Sequence, residues 1–277
     1  MTLFGHKLSV TALLGLAIIL LNVAVALGGP YLAPYGETQV VGGGWDPASA
    51  TSWFGTDQIG RDMLTRLVYG ARMTIGIAFV TTLLSFAIGI SLGLLASVTG
   101  RWIDTVLSRA VDVVLSIPLL IWALMILNVL GQSLFSLVLT IGFLDSTRVF
   151  RLARALGIGL VSLDFVEVAR LRGEGLWWVM RREILPNAAA PLMSEFGLRF
   201  CFNFLFIAAL SFLGLGVPLP YADWGGMVKD NVGGISFGLP AALYPAAAIA
   251  LLTVGINLVV DWFLSIDARP SGAQAEM

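Results

Sequence analysis

The residues able to do chemistry are few, and their placement argues against catalysis. His6, the only histidine, stands beside Lys7 near the start, where a charge flanking an apolar run suffices as explanation, since a zinc site needs several convergent ligands. Cys201, the only cysteine, lies between Phe200 and Phe202, so it has neither a disulfide partner nor a second thiol for a metal. Lys7 and Lys229 are neither preceded by Gly nor followed by Ser or Thr, as a phosphate-binding loop requires. There is no HExxH motif, and one histidine argues against a Ser-His-Asp arrangement. What remains is a stripe, Asp145, Arg148, Arg151 and Arg154, in which each member lies about 60° from its neighbour around a helix.

That stripe needs a setting, and composition supplies it. The chain is 58% hydrophobic and 12% charged, against about 25% charged in soluble domains, so its main solvent is lipid. A formal charge of −1 gives no reason to expect nucleic acid. A charge at a helix centre in lipid costs about 2.5–3.5 kcal/mol, so the stripe must face protein, water or an interface. An Asp145–Arg148 pair is preferred over contact with a transported solute. Asn128, Asn203, Asn257 and Asp261 are further candidates for a translocation path or for hydrogen bonds between helices.

Six membrane spans are expected, in an all-α polytopic fold. Residues 8–28 are uncharged and long enough for the first; Ala24, Val25 and Ala26 look like a cleavage site, but the apolar run is too long for a signal peptide, which favours an uncleaved anchor. The second lies between Arg72 and Arg101, centred on 81–95, with Gly76, Gly89 and Gly93 available for close helix contact. The uncharged run 113–144 is too long for one span and should break at Gly131, Gln132 and Ser133, giving spans near 110–130 and 133–156. The last two fall near 191–214 and 240–263. The chain then divides into an anchor helix 1–29, an outer segment 30–73, a five-helix core 74–264 and a tail 265–277. Lys7, Arg101, Arg109, Arg148, Arg151, Arg154, Arg170, Arg172, Arg181, Arg182, Arg199 and Arg269 fall on one side, against Arg61, Arg66, Arg72 and Lys229 on the other. By the positive-inside rule both termini are cytoplasmic, while 30–73 and the loop 215–239 face outward.

Between the fourth and fifth spans, the loop 163–187 reads as a short helix, a break at Gly173 and a second short helix ended by Pro186. Arg170, Arg172, Arg181 and Arg182 accompany Trp177 and Trp178, so an interfacial helix anchored by tryptophans is the simplest account. Glu167, Ala169, Gly173, Ile184 and Pro186, however, match at fixed spacing, and the loop resembles the EAA loop of binding-protein-dependent ABC import permeases. Val168 departs from the usual second alanine, and Leu160, Val161 and Ser162 stand where relatives are often charged. Two more segments, Phe54 to Asp62 followed by Leu64, Arg66, Gly70 and Arg72, and Leu210 to Gly216 with Pro220, Trp224 and Gly225, resemble the dipeptide, oligopeptide and nickel permeases of the C-subunit type.

The resemblance implies a six-helix permease subunit in a bacterial inner membrane. Its partners would be a homologous second permease, two cytoplasmic ATPases that hold ATP and Mg, and an external solute-binding protein; this chain would bind no cofactor. Glu167, Ala169, Arg170, Gly173, Ile184 and Pro186 would dock the ATPase, with Gly173 permitting a tight turn and Glu167 capping or pairing. Asp57, Arg61, Asp62, Trp224 and Gly225 would meet the binding protein. Read from the residues and not from the resemblance, Asn128, Asp145, Arg148, Asn203 and Asn257 are the candidates for the path. The rival expectation is an autonomous ion-coupled secondary transporter, which predicts an internal repeat and a charged pair at broken helices; neither is visible in the sequence.

Overall fold

The computed structural model describes residues 2–3, 6–7 and 9–267, so Arg269 and the end of the tail lie outside the described residues. The chain folds into two compact units, Met1–Phe79 with Gln132–Leu134 and Gly197–Met277, and Val80–Gly131 with Phe135–Phe196.

The first unit opens with Thr2–Leu3 paired antiparallel to His6–Lys7. Helix α1 (Val10–Leu32) follows, its first turn capped by the Ser9 hydroxyl accepting from Ala12 N–H. It packs on α10 (Leu243–Asp267) through facing glycines: a Cβ at Gly15 would lie 2.6 Å from the Gly255 carbonyl oxygen. A loop region from Ala33 to Asp62 leads to α2 (Met63–Val98). This helix has 36 residues and no proline, so it extends about 54 Å, well beyond the ~30 Å of a hydrocarbon core. The last residues of the 30–73 segment are therefore helical, and Arg66 and Arg72 sit on the first turns of α2.

In the second unit, α2 packs on α5 (Leu134–Val161). A Cβ at Gly89 or Gly93 would lie 2.7 Å from the backbone oxygen of Ser146 or Phe150, whereas Gly76 has open space around it. The expected third span is not one helix. It divides into α3 (Arg101–Leu115) and α4 (Leu119–Leu130), bent by 86° at Ser116–Pro118. Pro118 lacks an N–H and disfavours helical geometry at Ile117, which places the break there in addition to the one at Gly131. Among the described residues four helices, α1, α2, α8 (Ala189–Phe212) and α10, are long and apolar enough to cross a membrane by themselves. The number six thus rests on the broken α3–α4 pair and on the charge-bearing α5.

Beyond α5 come α6 (Asp164–Leu171) and α7 (residues 176–187), whose middle, Val179–Ile184, is π-helical. Pro186 does not end this helix. The Leu185 N–H reaches back to the Met180 oxygen, and this wide turn accommodates the proline one residue later, where an ordinary turn would lose a bond and clash. In the first unit the short helix α9 (Trp224–Asn231) and a 3-10 turn, Val232–Phe237, complete the loop between α8 and α10.

Candidate functional site

The α6–α7 module has an apolar core and a polar, partly apolar outside. Val166 and Ala169 of α6, with Val179, Met180 and Ile184 of α7, are buried against Leu94, Val98, Ala153, Ala188 and Leu192. Helix α6 ends in a Schellman motif: Gly173, at φ +83°, donates to Arg170 O and Glu174 donates to Ala169 O. Gly173 is thus required by the left-handed turn, as its sequence position suggests. Across that turn Arg172 pairs with Glu183 at 3.7 Å and its guanidinium lies 5.9 Å from the Trp178 ring. The sequence candidates therefore divide. Ala169 and Ile184 are buried and hold the module together, while Glu167, Arg170, Gly173 and Pro186 are exposed. Glu167 lies in the first turn of α6 but caps nothing, because no side chain bonds the helix start at Leu163. Val168, Leu171 (81% exposed), Leu176 and Trp177 add apolar side chains to the outer surface.

The loop region before α2 is built the other way round, on buried charge. Asp57 is 1% exposed; its carboxylate accepts from Arg61 Nε at 2.6 Å and from the Ile59 and Arg61 N–H groups, and lies 3.5 Å from Arg66 Nε. Asp62 accepts from the Ser52 hydroxyl and, at 2.7 Å, from Thr65 N–H, which caps α2. Glu37 accepts from Ala222 N–H, and Asn231 accepts from Trp45 Nε1 and Gln58 N–H, joining this region to the α8–α10 loop. Trp224 is buried, donates from Nε1 to Leu67 O at 2.8 Å and packs edge-on to Phe204. A Cβ at Gly225 would come within 2.2 Å of the Ala208 oxygen.

Asp57, Arg61, Asp62, Trp224 and Gly225 are consequently interior residues, not the exposed contact surface anticipated for them. Their burial satisfies one another's charges and the helix ends. Sequence reasoning missed Asp223, which caps α9 by accepting from Gly226 N–H and also accepts from the Thr74 hydroxyl at 3.0 Å. An Asp just before a helical Trp-Gly-Gly is the signal that could have found it. Burial pushes its carboxyl above the usual range, outweighing those hydrogen bonds.

On α5 the arginine stripe finds partners on α3. Arg151 donates to Asp112 at 2.7 Å, and Arg154 makes a two-pronged contact with Asp104. Asp145 is fully buried and Arg148 half-buried. Of the remaining path candidates, Asn203 is buried, Asn128 is exposed and donates to Leu124 O of its own helix, and Asn257 is exposed on α10. No cluster of His, Cys, Asp or Glu suited to a metal occurs among the described residues.

A model of the family described as binding-protein-dependent transport system inner membrane component matches residues 86–269, well over half of the chain, and the protein belongs to that family. It is a multi-pass membrane permease, a subunit of an ABC importer rather than a secondary transporter. Within the family its similarity is to the C-subunit type of peptide permease. It is 36% identical over 252 residues to the dipeptide transport system permease protein DppC of Alkalihalophilus pseudofirmus, covering 90% of this chain and 83% of that one. To the di/tripeptide transport system permease protein DppC of Pseudomonas aeruginosa it is 35% identical over 265 residues, covering 93% and 87%. Among solved structures, the fold resembles a chain of the MetNI methionine ABC transporter in an inward-facing conformation, with a TM-score of 0.59 at 21% identity over 75% of this chain and 98% of that one.

Proposed function

We propose that this chain is one of two homologous membrane subunits of an ATP-driven importer of short peptides, and that the α6–α7 module is where a cytoplasmic ATPase grips it. The observation that carries the docking assignment is the module's construction. An apolar core fixes two short helices to α2 and α5, while Glu167, Val168, Arg170 and Leu171 stay exposed for a partner. Such a rigid handle transmits the rocking of an ATPase to the bundle. The peptide class is supported by the relatives named for dipeptide and di/tripeptide transport.

In this reading the subunit is non-catalytic, ATP and Mg are held by the two ATPases, and both termini face the cytoplasm. The buried Asp57, Arg61, Asp62, Trp224 and Gly225 shape an outer platform on which a solute-binding protein docks through its exposed residues. Asn257 contributes to the path, since an exposed amide on a membrane-spanning helix needs water or protein opposite it. Asp145, Arg148, Asn128 and Asn203 support the path through their own helices.

The test combines Glu167→Lys with Gly173→Trp in the assembled transporter. Membrane insertion is expected to survive while ATPase association and peptide uptake are both lost. Normal uptake by that variant would refute the docking assignment.

A further inference from the structure

Helix α3 presents its apolar side outward, and none of its residues is buried. Trp102 is 77% exposed, and Ile103, Val106 and Val113 share that exposed side, with Arg109 (81% side-chain exposure) at its rim, 4.0 Å from the Asp112 carboxylate. The polar side faces α5: Asp104, which accepts from Ser108, meets Arg154, and Asp112 meets Arg151.

These ion pairs fix both the level and the direction of α3. Arg151 and Arg154 lie 17 and 20 residues after Leu134, hence about 26 and 30 Å along α5. A hydrocarbon core is about 30 Å thick, so α3 sits where a spanning α5 reaches the membrane surface at its Val161 end. Asp104 and Asp112 are about 12 Å apart along α3, whereas their partners are only about 4.5 Å apart along α5, so α3 crosses α5 steeply. The 86° bend to α4 says the same independently: if α4 rises through the bilayer, α3 lies in its plane.

We infer that α3 is an interfacial helix lying flat at the membrane surface next to the α6–α7 module, its Trp102–Val113 side embedded among acyl chains and Arg101 and Arg109 held by anionic lipid headgroups. Exposed tryptophan and aliphatic side chains bordered by arginine are the composition such a helix needs. The acidic face, which anionic lipid would repel, is turned away and neutralised by α5. Lipid is thereby tied through two ion pairs to the helix that leads into α6.

The experiment uses the complete transporter with cysteine-free partners and Cys201→Ser in this chain, reconstituted in phosphatidylethanolamine and phosphatidylglycerol. A fluorophore is placed at Trp102→Cys, Val106→Cys, Val113→Cys or, facing α5, Val111→Cys. Lipids brominated in the upper acyl chain should quench the first three several-fold more than the fourth. Equal quenching at all four, or labels at 102, 106 and 113 shielded from lipid and water alike by a second protein, would overturn the inference. Where a cysteine variant fails to assemble, the quenching of native Trp102, read as the difference between wild type and Trp102→Phe, decides instead. Arg101→Glu with Arg109→Glu should abolish the gain in uptake on adding phosphatidylglycerol to neutral vesicles; an unchanged gain would remove the headgroup contact.

Discussion

The segment before α2 and the α6–α7 module solve opposite problems with similar residues. In the first, Asp57, Arg61, Asp62 and Arg66 are all buried, and their charges are spent on one another and on backbone N–H groups. In the second, Glu167, Arg170, Arg181 and Arg182 are exposed, and the interior is aliphatic. Buried charge demands a fixed geometry, because any displacement uncovers an unpaired ion. An aliphatic core fixes the module to α2 and α5 without using any charge, and so leaves the outer charges available. On the proposed reading, the difference teaches that a platform which must keep its shape and a handle which must be gripped are separable in this chain by where charge is placed.

The largest expected effect follows from the platform. Asp57→Ala would leave the Arg61 and Arg66 guanidinium groups buried without their carboxylate, a loss of about 3–5 kcal/mol for this kind of site. Tryptophan fluorescence of the purified complex on heating should show a much lower transition, with this chain cleaved by protease between 33 and 62. A variant as stable as wild type would mean that the cluster is not what holds the segment.

A smaller effect, with a pH signature, belongs to Asp223. Its carboxyl is raised in the folded state above the ordinary value of 3.8 by burial. Between those two values the folded chain holds a proton that the unfolded chain has lost, so stability is present below 3.8 and declines as pH rises through the folded value. Asn caps helices about as well as Asp and carries no charge. Asp223→Asn should therefore retain the fold and flatten the dependence of thermal stability on pH across that window. An unaltered slope would show that another group is responsible.

How much of this was legible beforehand depended on the range of the interaction. Local signals carried through: Gly173 at its left-handed turn, Gly89 and Gly93 at a helix crossing, the break at Gly131. The burial of Asp57 and Trp224 was not legible, since it arises from groups such as Glu37 with Ala222 and Trp45 with Asn231, more than 180 residues apart in sequence. The partners of Arg151 and Arg154 were missed for a related reason. The stripe's partners lie on another helix, where Asp104, Ser108 and Asp112 form a polar face at spacings of four. Pro186 reads as a helix end in the sequence because the π-turn that removes its clash leaves no local signal.

The smallest effect on stability should coincide with a large effect on transport, and this separates handle from platform most sharply. Leu171 is 81% exposed at the end of α6 and lies outside the module's buried core. Leu171→Ser removes an apolar side chain already in solvent, and surface changes of this kind stay within about ±0.5 kcal/mol. The isolated membrane subunits should thus unfold at the wild-type temperature. If Leu171 is an anchor in an ATPase groove, the same variant loses apolar area that is buried only on docking, and a fully buried leucine side chain is worth about 1.5–3 kcal/mol. Co-purification of the ATPases and peptide-stimulated ATP hydrolysis should both fall by an order of magnitude or more. Wild-type association with unchanged stability would confine the grip to the charged residues Glu167 and Arg170, and a loss of stability would mean that α6 belongs with the platform in its sensitivity to substitution.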